Sequence, residues 1–265
     1  MRPTLTLLLN TTAIELLPAA LMYARSNADA RVLAQADWLL RRKRDGRYLA
    51  AQLPWGIMPL IPHLPREPGL DEALDRLQAA ATGPVRSSGA ALAIDGLQRR
   101  LAQLGLAADD YVRQTGLSLI AEPATLQFAG HDRFGRPLWL SDGAARAWRL
   151  MRAAALRADI VLDAISGYRS HDYQLGIFER KFARGLSLQQ ILAVNAAPGF
   201  SEHHSGDALD IGTPGELPAE ESFEATAAFA WLSRYAPDFG YRLSYPRHNP
   251  HGIVYEPWHW RWHAV

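Results

Sequence analysis

Apolar positions change period along the 265-residue chain. Between residues 28 and 50, Val32, Leu33, Ala36, Leu39 and Leu40 recur at i, i+3, i+4 spacing, which predicts a helix ending in the basic run Arg41-Arg-Lys-Arg44. Cations at a helix C-terminus complement its dipole, so this run reads as a solvated helix end and not as a nucleic-acid patch. Pro54, Pro59, Pro62, Pro65 and Pro68 remove backbone donors and fix φ, and residues 54–69 therefore read as an extended connector. Helical patterns return at 71–81, with Leu70, Leu74 and Leu77, and at 91–104, on either side of a breaker stretch at 82–89. Ahead of these, Arg2 and the apolar run 5–9 give a faint export signal. Glu15 splits the apolar stretch, no A-x-A pattern follows, and the run 16–24 is far short of the ~20 residues of a membrane span, so the segment reads as a first amphipathic helix or strand.

After about residue 110 the elements shorten and alternate. Residues 126–140 predict a hairpin about Gly130-His-Asp-Arg-Phe-Gly135. Ser141 caps a helix that carries Ala144, Trp148, Met151 and Ala155 on one face, and residues 160–165 read as a buried strand. Helices are expected at 171–183, 188–195 and 225–236, with strands at 208–211, 241–243, 253–255 and 258–262. Strands and helices mixed without a βαβ repeat predict an α+β fold. The expected division is an accessory, mostly helical region over 1–110 and a catalytic domain over 111–265.

Composition narrows the chemistry. Hydrophobic residues make up 48% and charged residues 21%, as in an ordinary globular chain. The 28 Lys and Arg against 27 Asp and Glu leave a net charge of +1, which gives no field for polyanions, so no nucleic-acid partner is expected. With no cysteine, thiol catalysis and Cys-based zinc sites are excluded, and a metal must be held by His, Asp or Glu.

Two stretches stand out, Ser201-Glu-His-His-Ser-Gly-Asp-Ala-Leu-Asp210 and Tyr255-Glu-Pro-Trp-His-Trp260. A turn at Gly206 brings His203 and Asp210 together, and His259 supplies a third ligand from a late strand. Such a set leaves a fourth tetrahedral position for water, the arrangement of catalytic zinc, which lowers the pKa of that water to about 7. Spacing alone leaves His204 open in place of His203. Glu256, three residues before His259 and separated from it by Pro257, sits where a general base is needed without being a ligand. In Ser166-Gly-Tyr-Arg-Ser170, at a strand end, Arg169 is placed to face a developing oxyanion. No Ser-His-Asp arrangement accompanies Ser166, Ser170 or Ser201, so no acyl-enzyme is expected.

These three motifs, in this order and spacing, resemble the zinc D-alanyl-D-alanine carboxypeptidases of the VanY type, peptidase family M15, over roughly residues 120–263. The resemblance implies the small α+β metallopeptidase core shared with VanX-like dipeptidases and the zinc domain of hedgehog proteins, with an antiparallel sheet and flanking helices. It implies His203, Asp210 and His259 as Zn2+ ligands, selecting His203 over His204, with Glu256 as catalytic base and Arg169 polarising the scissile carbonyl. It also implies Ser201 and Gln174 as contacts to the substrate's terminal residue. The implied activity is removal of the terminal D-alanine from peptidoglycan stem peptides or their precursors. An L,D-carboxypeptidase or an endopeptidase with the same site, and a zinc-bearing binding module without turnover, are the alternatives. The substrate implies the bacterial envelope or periplasm, with the cytoplasm as the alternative, and a third possibility gives residues 1–110 the main role, as a partner- or wall-binding helical region that positions the catalytic core.

Overall fold

The computed structural model describes residues 6–83, 89–94 and 96–264. Most of the breaker stretch expected at 82–89, and the first residue of the apolar run 5–9, lie outside the described residues.

The chain begins with strands β1 (Leu7–Asn10) and β2 (Ile14–Pro18), followed by helix α1 (Asn27–Leu33), which Ser26 caps through Asp29 N. Strands β3 (Trp38–Arg42), β4 (Tyr48–Leu53) and β5 (Gly56–Pro59) follow, then helices α2 (Leu70–Thr82), α3 (Leu97–Gln103) and α4 (Ala108–Thr115). The expectation of a mostly helical region over 1–110 is thus corrected, since five strands occupy its first half. The helix read across 28–50 is only α1. Its apparent continuation through Leu39 and Leu40 is β3, where Leu39 packs on one face of a sheet and Leu40 on the other. The extended connector at 54–69 contains β5, whose terminal Pro59 is tolerated because β5 is an edge strand.

Strands β6 (Thr125–His131) and β7 (Pro137–Leu140) form the expected hairpin and lead into α5 (Asp142–Arg157), capped by Ser141. Strand β8 (Asp163–Ser166), helices α6 (His171–Phe182) and α7 (Leu188–Leu192), strand β9 (Ala208–Gly212), helix α8 (Ala227–Tyr235) and strands β10 (Tyr241–Leu243) and β11 (His259–Trp262) complete the order. The strand expected at 253–255 is irregular backbone, pinned by hydrogen bonds from Val254 N to Ala193 O and from Glu256 N to Tyr245 O.

Two antiparallel sheets result, a seven-stranded one in the order β5-β4-β3-β2-β1-β6-β7 and a four-stranded one in the order β10-β11-β9-β8. The large sheet is covered on both faces. Leu7, Leu9, Leu16 and Leu40 pack with Leu77 of α2 on one face, and Leu8, Leu17, Leu39, Leu126 and Trp139 pack with Val32 and Leu33 of α1 on the other. A strand buried on both sides has no regular polar alternate, so β1 is apolar over Leu7–Leu9 and β2 is apolar but for one position. Glu15 interrupts the run to pair with Arg41 of β3 at 2.7 Å. The small sheet buries Leu209, Ile211 and Trp260 against Trp148 and Met151 of α5.

Residue 110 is not a seam in this fold: it falls within α4, and β1 pairs with β6, so residues on both sides of it share one sheet. Backbone hydrogen bonds from Tyr168 N to Trp139 O and from Arg133 N to Ala164 O join the two sheets beside the residues discussed next.

Candidate metal and active site

The small sheet sets the register of the site. Asp210 of β9 lies opposite His259 of β11, and Ser166, the last residue of β8, pairs with Asp210 from the other side. His203 sits in a single 3-10 turn, Glu202–Ser205, closed by Gly206 at φ 76°. That positive φ favours glycine, and it folds the chain back so that residue 203 reaches the strand carrying residue 210.

One ligand atom from each of His203, Asp210 and His259 falls within 4.8 Å of the others, and all three residues are buried. His203 Nδ1 lies 2.7 Å from Gly167 O, a contact that requires Nδ1 to donate and leaves Nε2 as the free lone pair. Nε2 is buried with no hydrogen-bond partner among the described residues, 3.2 Å from Asp210 Oδ1. His259 Nδ1 lies 3.1 Å from the same oxygen, and its Nε2 lies 2.9 Å from Glu202 Oε2. An imidazole nitrogen aimed into a buried carboxylate-containing pocket, with its other nitrogen fixed by an oxygen, is the donor arrangement of a metal ligand.

His204 is turned away. Its Nδ1 contacts Arg169 O at 2.7 Å and its Nε2 accepts from Gly199 N at 3.1 Å, so neither nitrogen is available. These two bonds favour His203 over the alternative that spacing left open.

Glu256 and Arg169 stand at the rim. A Glu256 carboxylate oxygen lies 3.8 Å from His259 Nδ1, and Arg169 Nη2 lies 3.7 Å from Asp210 Oδ2. Arg169 Nε is buried without a partner. Burial pushes the Glu256 carboxyl up to about 7, outweighing the pull of His259 and Arg169, which the repulsion of Asp210 and Glu202 only partly offsets. Burial, with Arg169 alongside, lowers His203 to about 4. For His259 burial acts downward as well, but its contacts to Asp210 and Glu202 lift it to about 10. Burial would raise Asp210, yet His203, His259 and Arg169 hold it well below the ordinary carboxylate range. Ser201 and Gln174 are both buried; Gln174 Nε2 donates to Ala196 O at 2.8 Å, and its Oε1 has no partner among the described residues.

Sequence reasoning passed over Glu202. It links His259 to Arg261, whose Nη1 lies 3.1 Å from Glu202 Oε1, and these contacts bring its carboxyl down to about 2 against the effect of burial. The only signal was its place beside His203; its partner His259 is 57 residues away.

The family model described as VanY, D-alanyl-D-alanine carboxypeptidase, matches residues 137–265. A putative carboxypeptidase, YodJ, of Bacillus subtilis (strain 168) is 37% identical over 123 residues, 45% of this chain and 44% of that protein. VanXYC of Enterococcus gallinarum, described as a bifunctional D-Ala-D-Ala dipeptidase and D-Ala-D-Ala carboxypeptidase, is 32% identical over 142 residues, 51% of this chain and 70% of that protein. A structure of the vancomycin-resistance D,D-pentapeptidase VanY in complex with Zn(II) aligns at 25% identity and a TM-score of 0.39, over 47% of this chain and 72% of that one. The chain spans less than half the length of the YodJ protein and about seven tenths of VanXYC. With the three motifs brought to one buried site, the chain belongs to the VanY family of D-alanyl-D-alanine carboxypeptidases.

Proposed function

We propose that this chain is a zinc-dependent D,D-carboxypeptidase that hydrolyses the terminal D-Ala-D-Ala amide bond of peptidoglycan stem peptides. The observation that carries the reading is the buried His203, Asp210 and His259 cluster with an unpartnered Nε2 on His203, flanked by Glu256 and Arg169. Two imidazoles and one carboxylate fit zinc, and three protein ligands match a catalytic site better than a closed structural one. Zinc held there supplies Lewis acidity, polarising a carbonyl oxygen and lowering the pKa of water to about 7.

Each remaining step belongs to a side chain. Glu256, 3.8 Å from His259 and outside the ligand cluster, takes a proton from the attacking water and returns it to the departing amine of the terminal residue. Arg169, beside Asp210, presents its guanidinium to the negative charge that develops on the scissile carbonyl oxygen. Ser201 and Gln174 contact the terminal residue of the substrate. Glu202 keeps the His259 ring oriented. A structural zinc has no use for a rim carboxylate and a rim guanidinium, and their presence favours an enzyme over a binding module.

Among the described residues, no helix is long and apolar enough to cross a membrane. The proposed substrate favours the bacterial envelope or periplasm, with the cytoplasm, where its precursors occur, as the alternative.

The test is mass spectrometry of defined pentapeptide and tetrapeptide stems incubated with the zinc-loaded protein. Loss of the last D-alanine from the pentapeptide alone is expected. Loss from the tetrapeptide alone would replace the reading by L,D-carboxypeptidase activity. No cleavage of either, with zinc bound, would overturn it.

A further inference from the structure

A fully buried ion pair lies outside the catalytic cluster, and nothing in the proposed chemistry uses it. Lys43, at the end of β3, has no exposed side-chain surface, and its Nζ lies 2.6 Å from Oε2 of Glu122, itself buried. A buried lysine needs a compelling partner, because removing an ammonium from water is costly unless it is both paired and hydrogen-bonded. Here that partner does more than neutralise it.

Glu122 Oε2 also accepts the Tyr168 hydroxyl, and Glu122 Oε1 accepts the backbone N–H of His171, the first residue of α6, at 2.9 Å. Asn10 of β1 donates its Nδ2 to the Tyr168 oxygen at 2.8 Å and to Pro123 O at 2.9 Å. One carboxylate thus grips both ends of the segment 168–171, and Lys43 and Asn10 tie that grip to the large sheet. The same segment faces the metal cluster. Gly167 O fixes the His203 ring, Arg169 N donates to His203 O at 3.2 Å, and Arg169 O fixes His204. Arg169 follows Tyr168 directly, and its guanidinium reaches toward Asp210 with Nε buried and unpartnered. Among the described residues that nitrogen has no hydrogen-bond partner, and the guanidinium's one ion pair, to Asp210, is long at 3.7 Å, so the backbone that carries Arg169 has a large share in setting its position.

We propose that Lys43, Glu122 and Tyr168 form a positioning unit through which the N-terminal sheet holds Arg169 against the reacting carbonyl. The first 110 residues are then part of the active-site scaffold, and Lys43 and Glu122 are positioning residues that touch no substrate. This inference rests on the role given to Arg169 in the proposed function.

The decisive variant is Tyr168→Phe, which removes one hydroxyl and leaves the ring and the Lys43–Glu122 pair in place; Glu122→Gln is the second. With the zinc-loaded full chain on a pentapeptide stem, Tyr168→Phe is expected to lower kcat roughly ten- to a hundredfold, because small misplacements of a catalytic group carry losses of that order. KM is expected to stay within about twofold and zinc content to be unchanged. In an Arg169→Ala background the same substitution should have little further effect, since coupled positions are not additive. An independent readout is the Arg169 Nε–H signal in protein labelled with 15N-arginine, identified by its loss in Arg169→Lys. Its exchange with solvent should accelerate in both Tyr168→Phe and Glu122→Gln.

Wild-type kcat and an unchanged Arg169 signal in both variants would overturn the proposal. So would an equal fall in kcat with and without Arg169, which would mean that Tyr168 acts elsewhere. If the wild-type chain cleaves no stem peptide, the proposed function fails, and the Arg169 signal alone then decides whether the positioning unit exists.

Discussion

Gly206 turns the chain between two proposed ligands, and replacing it by alanine separates two costs. Its φ of 76° is left-handed, a conformation that costs an L-residue roughly 1 to 2 kcal/mol more than glycine. A Cβ at this position would also lie 2.4 Å from Leu126 Cδ2 and 2.9 Å from Ser141 N. The leucine methyl can rotate away, but Ser141 N is backbone, donates to Gly206 O at 2.8 Å, and belongs to the residue that caps α5. Overpacking against such a fixed neighbour adds about 1 to 3 kcal/mol. Gly206→Ala is therefore expected to destabilise by roughly 2 to 5 kcal/mol. Gly185 is the control, with a φ of 86° and nothing within 4 Å of its hypothetical Cβ, so Gly185→Ala should cost only the conformational part, about 1 to 2 kcal/mol. Urea denaturation of both variants, with m-values compared to confirm the same transition, measures the difference directly. Equal losses, within about 0.5 kcal/mol, would refute the claim that the backbone approach at Ser141 requires glycine. The turn that absorbs the strain also carries His203, so zinc titration of folded Gly206→Ala should show weaker binding than Gly185→Ala.

Three further outcomes follow from the same contacts. Glu256→Ala should keep its zinc, because Glu256 is not in the ligand cluster, while hydrolysis falls by roughly 10² to 10⁴; metal analysis beside stem-peptide turnover checks this, and unchanged hydrolysis would remove Glu256 from the mechanism. Glu202→Gln should weaken zinc binding roughly 10- to 100-fold, as expected for loss of an outer carboxylate that orients a ligand, and competition with a chelator reads the change. Burial acts to raise Glu122, but Lys43 and His171 bring it from 4.5 to about 2, so its stabilising effect is full above about pH 4.5 and disappears as pH falls through about 2. That range corresponds to roughly 3 kcal/mol, and the difference in urea stability between wild type and Glu122→Gln should shrink as pH falls from 6 to 2.5; a difference independent of pH would contradict the shift.

What the sequence disclosed and what it hid have a common physical origin. His203, Asp210, His259, Glu256 and Arg169 were legible because they stand in short motifs, with the choice of His203 over His204 resting on the family resemblance and not on spacing, and the structure brings all five side chains near one another. The hairpin at 126–140 and the capped helix after Ser141 were legible for the same local reason. The five N-terminal strands were not. Strands β1 and β2 are buried on both faces and show no alternation, while Val32, Leu33, Ala36, Leu39 and Leu40 imitate a helical stripe although only the first two lie in α1. The Asp45-Gly46 pair, with Gly46 at φ 70°, marks the turn between β3 and β4, but the adjacent basic run drew attention to a helix end instead. Within that run, a solvated cation and a buried one look identical until the partner is located. Arg44 is exposed, whereas Lys43, one residue earlier, is sealed in the interior by a carboxylate 79 positions away. Glu202 was missed in the same way, since its partner is set by the pairing of β9 with β11 and not by any local spacing. Motif spacing points to the groups proposed to react, but the charges that hold those groups are chosen by topology, so they become visible only once the strands are paired.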